Sequence, residues 1–206
     1  MDRRVAGGIA GIASPVVFTA FVVTSGAIVP NYDHLSQHVS ELARQSGPHA
    51  WVMRLGLVIV GMLDLVLARG LARGAQSTAG RVGSGLVALL GLATVGTGVF
   101  PLEPRGAEAN ALARAHVGAA AAAFALDVLT PLVFARHFHL ARNGRLRGFS
   151  LASAALAAIL LIPVVFGWWS AQKGLAQRLF LVVPFAWTGL MGAWLLASSR
   201  GNRATD

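Results

Sequence analysis

Cysteine is absent from this 206-residue sequence, and charged residues make up only 12% of it. Without cysteine, the chain can form no disulfide, no thiolate metal site and no cysteine nucleophile. A soluble domain carries about 25% charged residues, and a fold with so few could not cover its surface in water. Since 55% of the residues are hydrophobic, the excess apolar surface must face lipid.

Acidic residues are scarce as well, because eight Asp and Glu stand against 17 Lys and Arg, for a net charge of +9. In a soluble protein this balance would suggest nucleic-acid binding. Here the arginines lie in short segments between apolar runs, and no basic helix face interleaves with aromatic residues. We therefore predict no nucleic-acid partner and interpret the arginines as determinants of membrane orientation.

Six stretches are long and apolar enough to cross a bilayer, which takes about 20 residues of helix. They cover residues 5–29, 51–68, 82–100, 113–135, 149–169 and 179–198. Alternating barrel strands and long polar loops are both missing, so helices are the only spanning solution that remains. The predicted fold is all-α, a polytopic transmembrane bundle of six helices that forms a single domain over residues 1–206.

The basic residues divide unequally between the two sets of segments that the spans separate. Eleven of the 17 lie in the set that includes both termini, namely Arg3, Arg4, Arg69, Arg73, Arg81, Arg136, Arg142, Arg145, Arg147, Arg200 and Arg203. The opposite set holds Arg44, Arg54, Arg105, Arg114, Lys173 and Arg178. Because basic residues concentrate on the cytoplasmic side of short loops, this pattern predicts a multi-pass protein of the cytoplasmic (inner) membrane, N-in and C-in.

The first span has an alternative interpretation as a cleavable signal peptide. Arg3 and Arg4, the apolar run after them, and the small residues Ser25-Gly26-Ala27 fit that pattern. The apolar run is longer than the usual signal core and contains Pro15, which favours a membrane span. Cleavage would leave five spans.

Small residues recur at a spacing that lets helices approach closely in lipid. Gly7 and Gly11 have the small-xxx-small spacing, as do Gly189 and Ala193. The pattern favours packing within one bundle over dimerisation. The oligomeric state is left open by the sequence.

The loop from Asn31 to Ala50 is the most polar part of the chain and is predicted to form a short amphipathic helix. Its apolar face would carry Leu35, Val39 and Leu42, spaced four and three residues apart. The same spacing recurs in a second set, which with a more distant histidine gives the candidate metal ligands His34, His38, Glu41 and His116. The alternative is that these histidines are only solvated; no other cofactor is indicated.

Short motifs in this order and spacing resemble a prokaryotic six-helix integral membrane family known as domain of unknown function nine-nine-eight. The residues that carry the resemblance are Ser40-Glu41-Leu42, Gly98-Val99-Phe100-Pro101, His116, Gly174, Gln177-Arg178 and Trp187. The chain has Ala43 where members often have glycine. The resemblance covers nearly the whole chain and implies six spans and a membrane location, with no established activity.

The predicted topology brings six polar residues to the outer membrane face, namely Ser40, Glu41, Glu103, His116, Gln177 and Arg178. Such residues at a membrane boundary are costly and often functional. If the chain is an enzyme, we expect His116 to act as the acid–base, Glu41 to orient it or to serve as a second acid–base, and Ser40 to be the candidate nucleophile. Ligand-binding roles go to Glu103, Gln177 and Arg178, the last for an anionic group. The alternative is that this cluster only ties the loop onto the bundle.

Two acids, Asp64 and Asp127, fall inside predicted spans. Counted from the predicted cytoplasmic ends, they lie at depths of about 6 and 12 Å. A proton relay is the functional interpretation; alternatively, Asp64 reaches Arg69 or water.

Three functions remain open from the sequence. The leading one is a membrane protein with an outward-facing polar pocket that binds or modifies a lipid-like or amphipathic molecule. The second is a proton-coupled small-molecule transporter that uses Asp64 and Asp127, and the third is a non-catalytic membrane subunit. Whether the chain is an enzyme is left undecided, and the predicted partners are the lipid bilayer and a lipid-like ligand.

Overall fold

The computed structural model describes residues 2–44, 49–104 and 106–203, with side chains through Ser199. Arg105, which entered the orientation count, lies outside the described residues, as do the side chains of Arg200 and Arg203. The described chain is all-helical, with no strand and one isolated bridge between Arg44 and Leu102.

Six α-helices are long and apolar enough to cross a membrane, which confirms the predicted six-helix bundle. They are α1 (Arg3–Ile28), α2 (Ala50–Gly74), α3 (Thr78–Val99), α4 (Ala111–Leu140), α5 (Gly144–Phe166) and α6 (Lys173–Arg203). Two short 3₁₀ helices, η1 (Val39–Ala43) and η2 (Ser170–Gln172), lie in the connections that follow α1 and α5.

Several helices run past their predicted ends. The predicted second and fourth spans stopped at residues 68 and 135, whereas α2 ends at Gly74 and α4 at Leu140. The sequence criterion counted only apolar residues. The segments beyond them contain charged or polar residues and no proline, so nothing in them breaks the helix when the apolar run ends.

The predicted amphipathic helix in the polar loop is wrong. Residues 34–37 form turns, and only η1 is helical in the segment 31–44, which we call the capping loop. The Asp33 carboxylate accepts hydrogen bonds from the backbone N–H of Leu35 and from the backbone and hydroxyl of Ser36. This local bonding satisfies the backbone in a turn instead of starting a helix.

The helices form a ring in which each packs against its neighbours in sequence, and α1 closes the ring against α6. Close approach at two points depends on glycine pairs. Gly7 of α1 lies against Gly70 of α2, and Gly11 of α1 lies against Gly192 of α6. The small-residue spacing predicted in α1 therefore serves contacts within one bundle.

Gly192→Val is expected to destabilise the bundle, because a Cβ at this position would overlap the Gly8 carbonyl oxygen and the Ile12 nitrogen. Backbone cannot move aside as a flexible side chain can, so we expect a loss of about 1–3 kcal/mol. Thermal unfolding in detergent measures it. The matched control is Gly85→Val, since a Cβ there meets nothing within 4 Å; equal midpoints for the two variants would contradict the packing argument.

Two buried apolar clusters lie at different heights in the ring. The capping-loop cluster joins Val39, Leu42 and Ala43 of η1 to Met53 and Leu57 of α2. The far cluster, which includes Leu67, Leu71, Phe134, Trp187 and Leu195, fills the other half of the bundle. The residues between the two clusters on α2, α4 and α6 surround the candidate site.

Candidate functional site

A cavity of about 90 Å³ lies inside the ring between the two apolar clusters. Four helices each contribute one stripe of residues three or four positions apart, which is the spacing that keeps side chains on one helix face. The stripes are Leu57, Val60 and Asp64; Leu90, Thr94 and Thr97; His116, Ala120, Ala123, Phe124 and Asp127; and Gln177, Leu181, Pro184, Phe185 and Thr188. Phe18 of α1 and Val39 and Ser40 of η1 complete the lining.

His116 is the most distinctive polar group of this cavity. Its side chain is 2% exposed, and its ring Nδ1 lies 2.7 Å from the carbonyl oxygen of Phe100. A carbonyl can only accept, so Nδ1 carries a proton. Within the described residues the buried Nε2 has no hydrogen-bond partner. The cavity lining therefore includes a ring nitrogen that is available for a further hydrogen bond.

The end of α3 holds the carbonyl that orients His116. Phe100 caps α3, and Pro101 follows it. The Arg54 guanidinium donates 3.0 Å hydrogen bonds to the carbonyl oxygens of Gly98 and Val99 and so fixes this turn against α2. The orienting partner predicted for His116 was Glu41; in the structure a backbone carbonyl takes that place.

Two carboxyl groups face the same cavity deeper in the bundle. Asp64 is 5% and Asp127 8% exposed, and the two are close enough to interact electrostatically. The Ser14 hydroxyl of α1 donates a 3.0 Å hydrogen bond to Asp64. No hydrogen bond or ion pair holds the Asp127 carboxyl among the described residues, and no Lys or Arg lines this part of the cavity. These acids form a pair without a counter-charge.

The acids lie well inside their helices. At 1.5 Å per residue, Asp64 is about 15 Å from the end of α2 and Asp127 about 20 Å from the end of α4. The predicted depths of about 6 and 12 Å were counted from the ends of the apolar runs, and they stay predictions. His116 and Asp127 are eleven positions apart on α4, about 16 Å along the axis. The cavity thus joins two polar sites that sequence reasoning treated separately.

Glu41 does not line the cavity but holds the capping loop. Its carboxylate accepts from the backbone N–H of His38 at 3.2 Å and lies 3.2 Å from the Lys173 ammonium and 3.7 Å from Arg44. Glu103 is likewise outside the lining, and its backbone carbonyl accepts from Arg44. These two carboxyl groups therefore do not meet His116 across the cavity.

Gln177 serves both the cavity and the capping loop. Its side-chain oxygen accepts a 2.6 Å hydrogen bond from the backbone N–H of Val39, and its residue lines the cavity beside Ser40. Two residues earlier, the backbone N–H of Leu175 donates to the Leu35 carbonyl oxygen. The start of α6 thus holds the loop that closes this end of the cavity. We call the contacts between the start of α6 and the capping loop the clasp.

Arg178 extends that clasp with hydrogen bonds to neutral partners. Its Nη1 donates to the carbonyl oxygens of His34, Gln37 and Gly174, and its Nη2 to the Tyr32 hydroxyl and the His34 ring. Burial raises the pKa of Tyr32, so its hydroxyl stays neutral. Within the part of the chain that the structure describes, no carboxylate forms an ion pair with Arg178.

The candidate metal ligands are not grouped. In the described part of the chain, no three His, Asp or Glu side chains are close enough to hold a metal ion. His34 bonds to Arg178, and His116 lies in the cavity. Burial lowers the pKa of His38, and the Lys173 charge acts in the same direction. The loop histidines therefore belong to the clasp, together with the Arg178 contacts.

Sequence reasoning missed Ser14 and the Phe100 carbonyl. Ser14 is a small polar residue inside an apolar run, and that contrast was a usable signal in the sequence. In the structure Ser14 lies on the face of α1 that contacts α2. The carbonyl has no signature, because every residue type carries one.

Comparison with known proteins gives one match. A family model described as "Protein of unknown function (DUF998)" matches residues 12–194, a range that includes every cavity-lining residue. No curated protein and no solved structure matches the chain.

Proposed function

Because the chain belongs to the DUF998 family, whose description names no activity, we propose its function from the cavity: it is a proton-coupled transporter of a small solute. Asp64 and Asp127 are the proton-binding pair, and His116 passes protons between that pair and the end of the bundle beside the capping loop.

A single observation carries the proposal, namely that one cavity joins the open Nε2 of His116 to the two carboxyl groups. Both acids are buried and no Lys or Arg among the described residues lines the cavity, so a bound proton can take the place of a counter-charge on either of them. Histidine is a common proton shuttle, and one ring nitrogen of His116 has no partner among the described residues.

The cavity size suits water better than an amphipathic ligand. A volume of about 90 Å³ holds about three waters at ~30 Å³ each. Ligand pockets measure about 300–1,000 Å³. Three waters, together with the hydroxyl oxygens of Thr94 and Thr97 on the same wall, supply a hydrogen-bonded path along the ~16 Å between His116 and Asp127. Ser40 also lines the cavity and stays a predicted nucleophile.

The apolar clusters on either side of the cavity suit a transport cycle. The capping-loop cluster lies toward one end of the bundle and the far cluster toward the other. In alternating access each cluster would open in turn and expose the cavity first at one end and then at the other. The arginine distribution orients the molecule in the cytoplasmic membrane with both termini inside, so the capping loop faces outward.

Proton uptake into liposomes tests this function directly. The purified protein is reconstituted with a trapped pH dye, and a potassium diffusion potential, negative inside, is imposed. We expect internal acidification faster than in protein-free liposomes, and faster again when a filtered small-molecule extract of cells is added outside. The proposal fails if acidification matches that of protein-free liposomes both with and without the extract.

A further inference from the structure

A long apolar groove runs along the outside of the ring between α1 and α6. Its volume is about 1,020 Å³, far larger than that of the internal cavity. Exposed aliphatic side chains form its rims, with Val16 and Val23 on α1 and Val182 and Leu190 on α6. At membrane depth, these side chains are in contact with acyl chains.

Two stacked aromatic rings separate this groove from the cavity. The Phe18 and Phe185 ring centroids are 4.3 Å apart with an interplanar angle of 25°. Both residues line the groove on one side and the cavity on the other. The groove is thus a site of its own, with a floor of aromatic rings.

A positive charge marks the capping-loop end of the groove. Arg178 and His34 line it there. Every hydrogen-bond partner of the Arg178 guanidinium is neutral, and its Nε–H makes no hydrogen bond among the described residues. A guanidinium at headgroup depth favours a phosphate, because its positive charge attracts the phosphate oxygens and its Nε–H can donate to one of them.

The groove is long enough for the acyl chains of one leaflet. From Arg178 to Ala193, both of which line it, α6 rises about 22 Å. Half of the hydrocarbon core is about 15 Å. A lipid with its phosphate at Arg178 could therefore lie with an acyl chain inside the groove over the depth of its own leaflet.

We propose that the α1–α6 groove binds one anionic phospholipid, with its phosphate at Arg178 and an acyl chain over Phe18 and Phe185. This site does not depend on the proton-binding role of the acids. Its occupant is a structural or substrate lipid of the leaflet that contains the capping loop.

Native mass spectrometry of delipidated protein tests the site. The protein is incubated with equal amounts of phosphatidylglycerol and phosphatidylcholine, and the retained adducts are counted. One favourable charge contact at a membrane surface is worth about 1 kcal/mol, which corresponds to about a fivefold preference for phosphatidylglycerol. A large excess of inorganic phosphate should not displace the lipid, since phosphate alone lacks the acyl contact.

Two substitutions separate the groove from the general lipid surface. Ala186→Trp fills the groove and should abolish the retained adduct, whereas Ala158→Trp adds the same ring to the exposed face of α5 and should leave it unchanged. Arg178→Gln should remove the preference for phosphatidylglycerol. Arg178 also holds the capping loop, so Arg178→Gln can fail to fold. In that case the comparison of Ala186→Trp with Ala158→Trp decides whether the groove binds the lipid. Equal retention in the two tryptophan variants, or no preference in the wild type, overturns the proposal.

Discussion

Asp127→Asn is expected to abolish the proton uptake of the reconstituted protein and to leave its thermal stability close to that of the wild type. The amide has the size and shape of the carboxyl group but cannot bind and release a proton at neutral pH. No hydrogen bond or ion pair holds Asp127 among the described residues, so the exchange breaks no contact. A positioned proton-transfer group accounts for about 100-fold or more in rate, and we expect a loss of that size.

Matched variants show whether the loss belongs to this position. Glu108→Gln makes the same chemical change on an exposed residue between α3 and α4 and should keep the wild-type rate. Asp64→Asn should also lose uptake and stay folded, because the amide oxygen can accept the Ser14 hydroxyl hydrogen bond that the carboxylate accepts. Wild-type rates in Asp127→Asn would remove Asp127 from the mechanism even if the protein proved to be a transporter.

The number of helices was predictable because it depends only on the length of each apolar run, which can be read without knowing the rest of the fold. About 20 apolar residues fix a span wherever the run lies in the chain. The helix ends were less predictable. Arg69 and Arg73 continue α2 beyond the apolar run to Gly74, and an apolar criterion cannot see a helix that leaves the lipid.

The site was predictable in its residues but not in its arrangement. His116, Asp64 and Asp127 were selected from the sequence as ionisable groups in or near spans. Their union in one cavity depends on which face of α2 and α4 points into the ring, and that follows from the contacts of all six helices. The roles predicted for Glu41 and Arg178 stay predictions. The structure shows that their contacts hold the capping loop to α6, and no residue spacing in the sequence pointed to those particular partners.

Gly174→Val is expected to release the capping loop and open the cavity to water from that end. A Cβ on Gly174 would overlap the carbonyl oxygens of His34 and Gln37. Those carbonyls are also the acceptors of the Arg178 guanidinium, so moving them breaks the clasp at several bonds together. Since Val39 and Ser40 of the same loop close the cavity, its polar lining should become accessible to solvent.

The absence of cysteine makes this opening measurable, because a single introduced thiol is the only one in the protein. Ala120→Cys places that thiol on the cavity wall. A membrane-impermeant maleimide should label this thiol slowly when Gly174 is unchanged. Labelling should be at least about tenfold faster when Gly174→Val is added, because local opening of the capping loop then costs less free energy. Gly148→Val is the matched control, since a Cβ there meets nothing within 4 Å, and it should not change the rate.

A second thiol position separates loop release from general unfolding. Ala109→Cys lies in the exposed connection before α4 and should react at the same fast rate in every background. If Gly174→Val speeds labelling at Ala120→Cys without lowering the thermal midpoint to that of Gly192→Val, the capping loop moves as a unit on an intact ring. Slow labelling in both backgrounds would mean that the cavity stays closed without the clasp. The capping-loop cluster, which includes Leu42, Met53 and Leu57, would then be the barrier, and the gate at this end of the bundle would lie in the helices themselves.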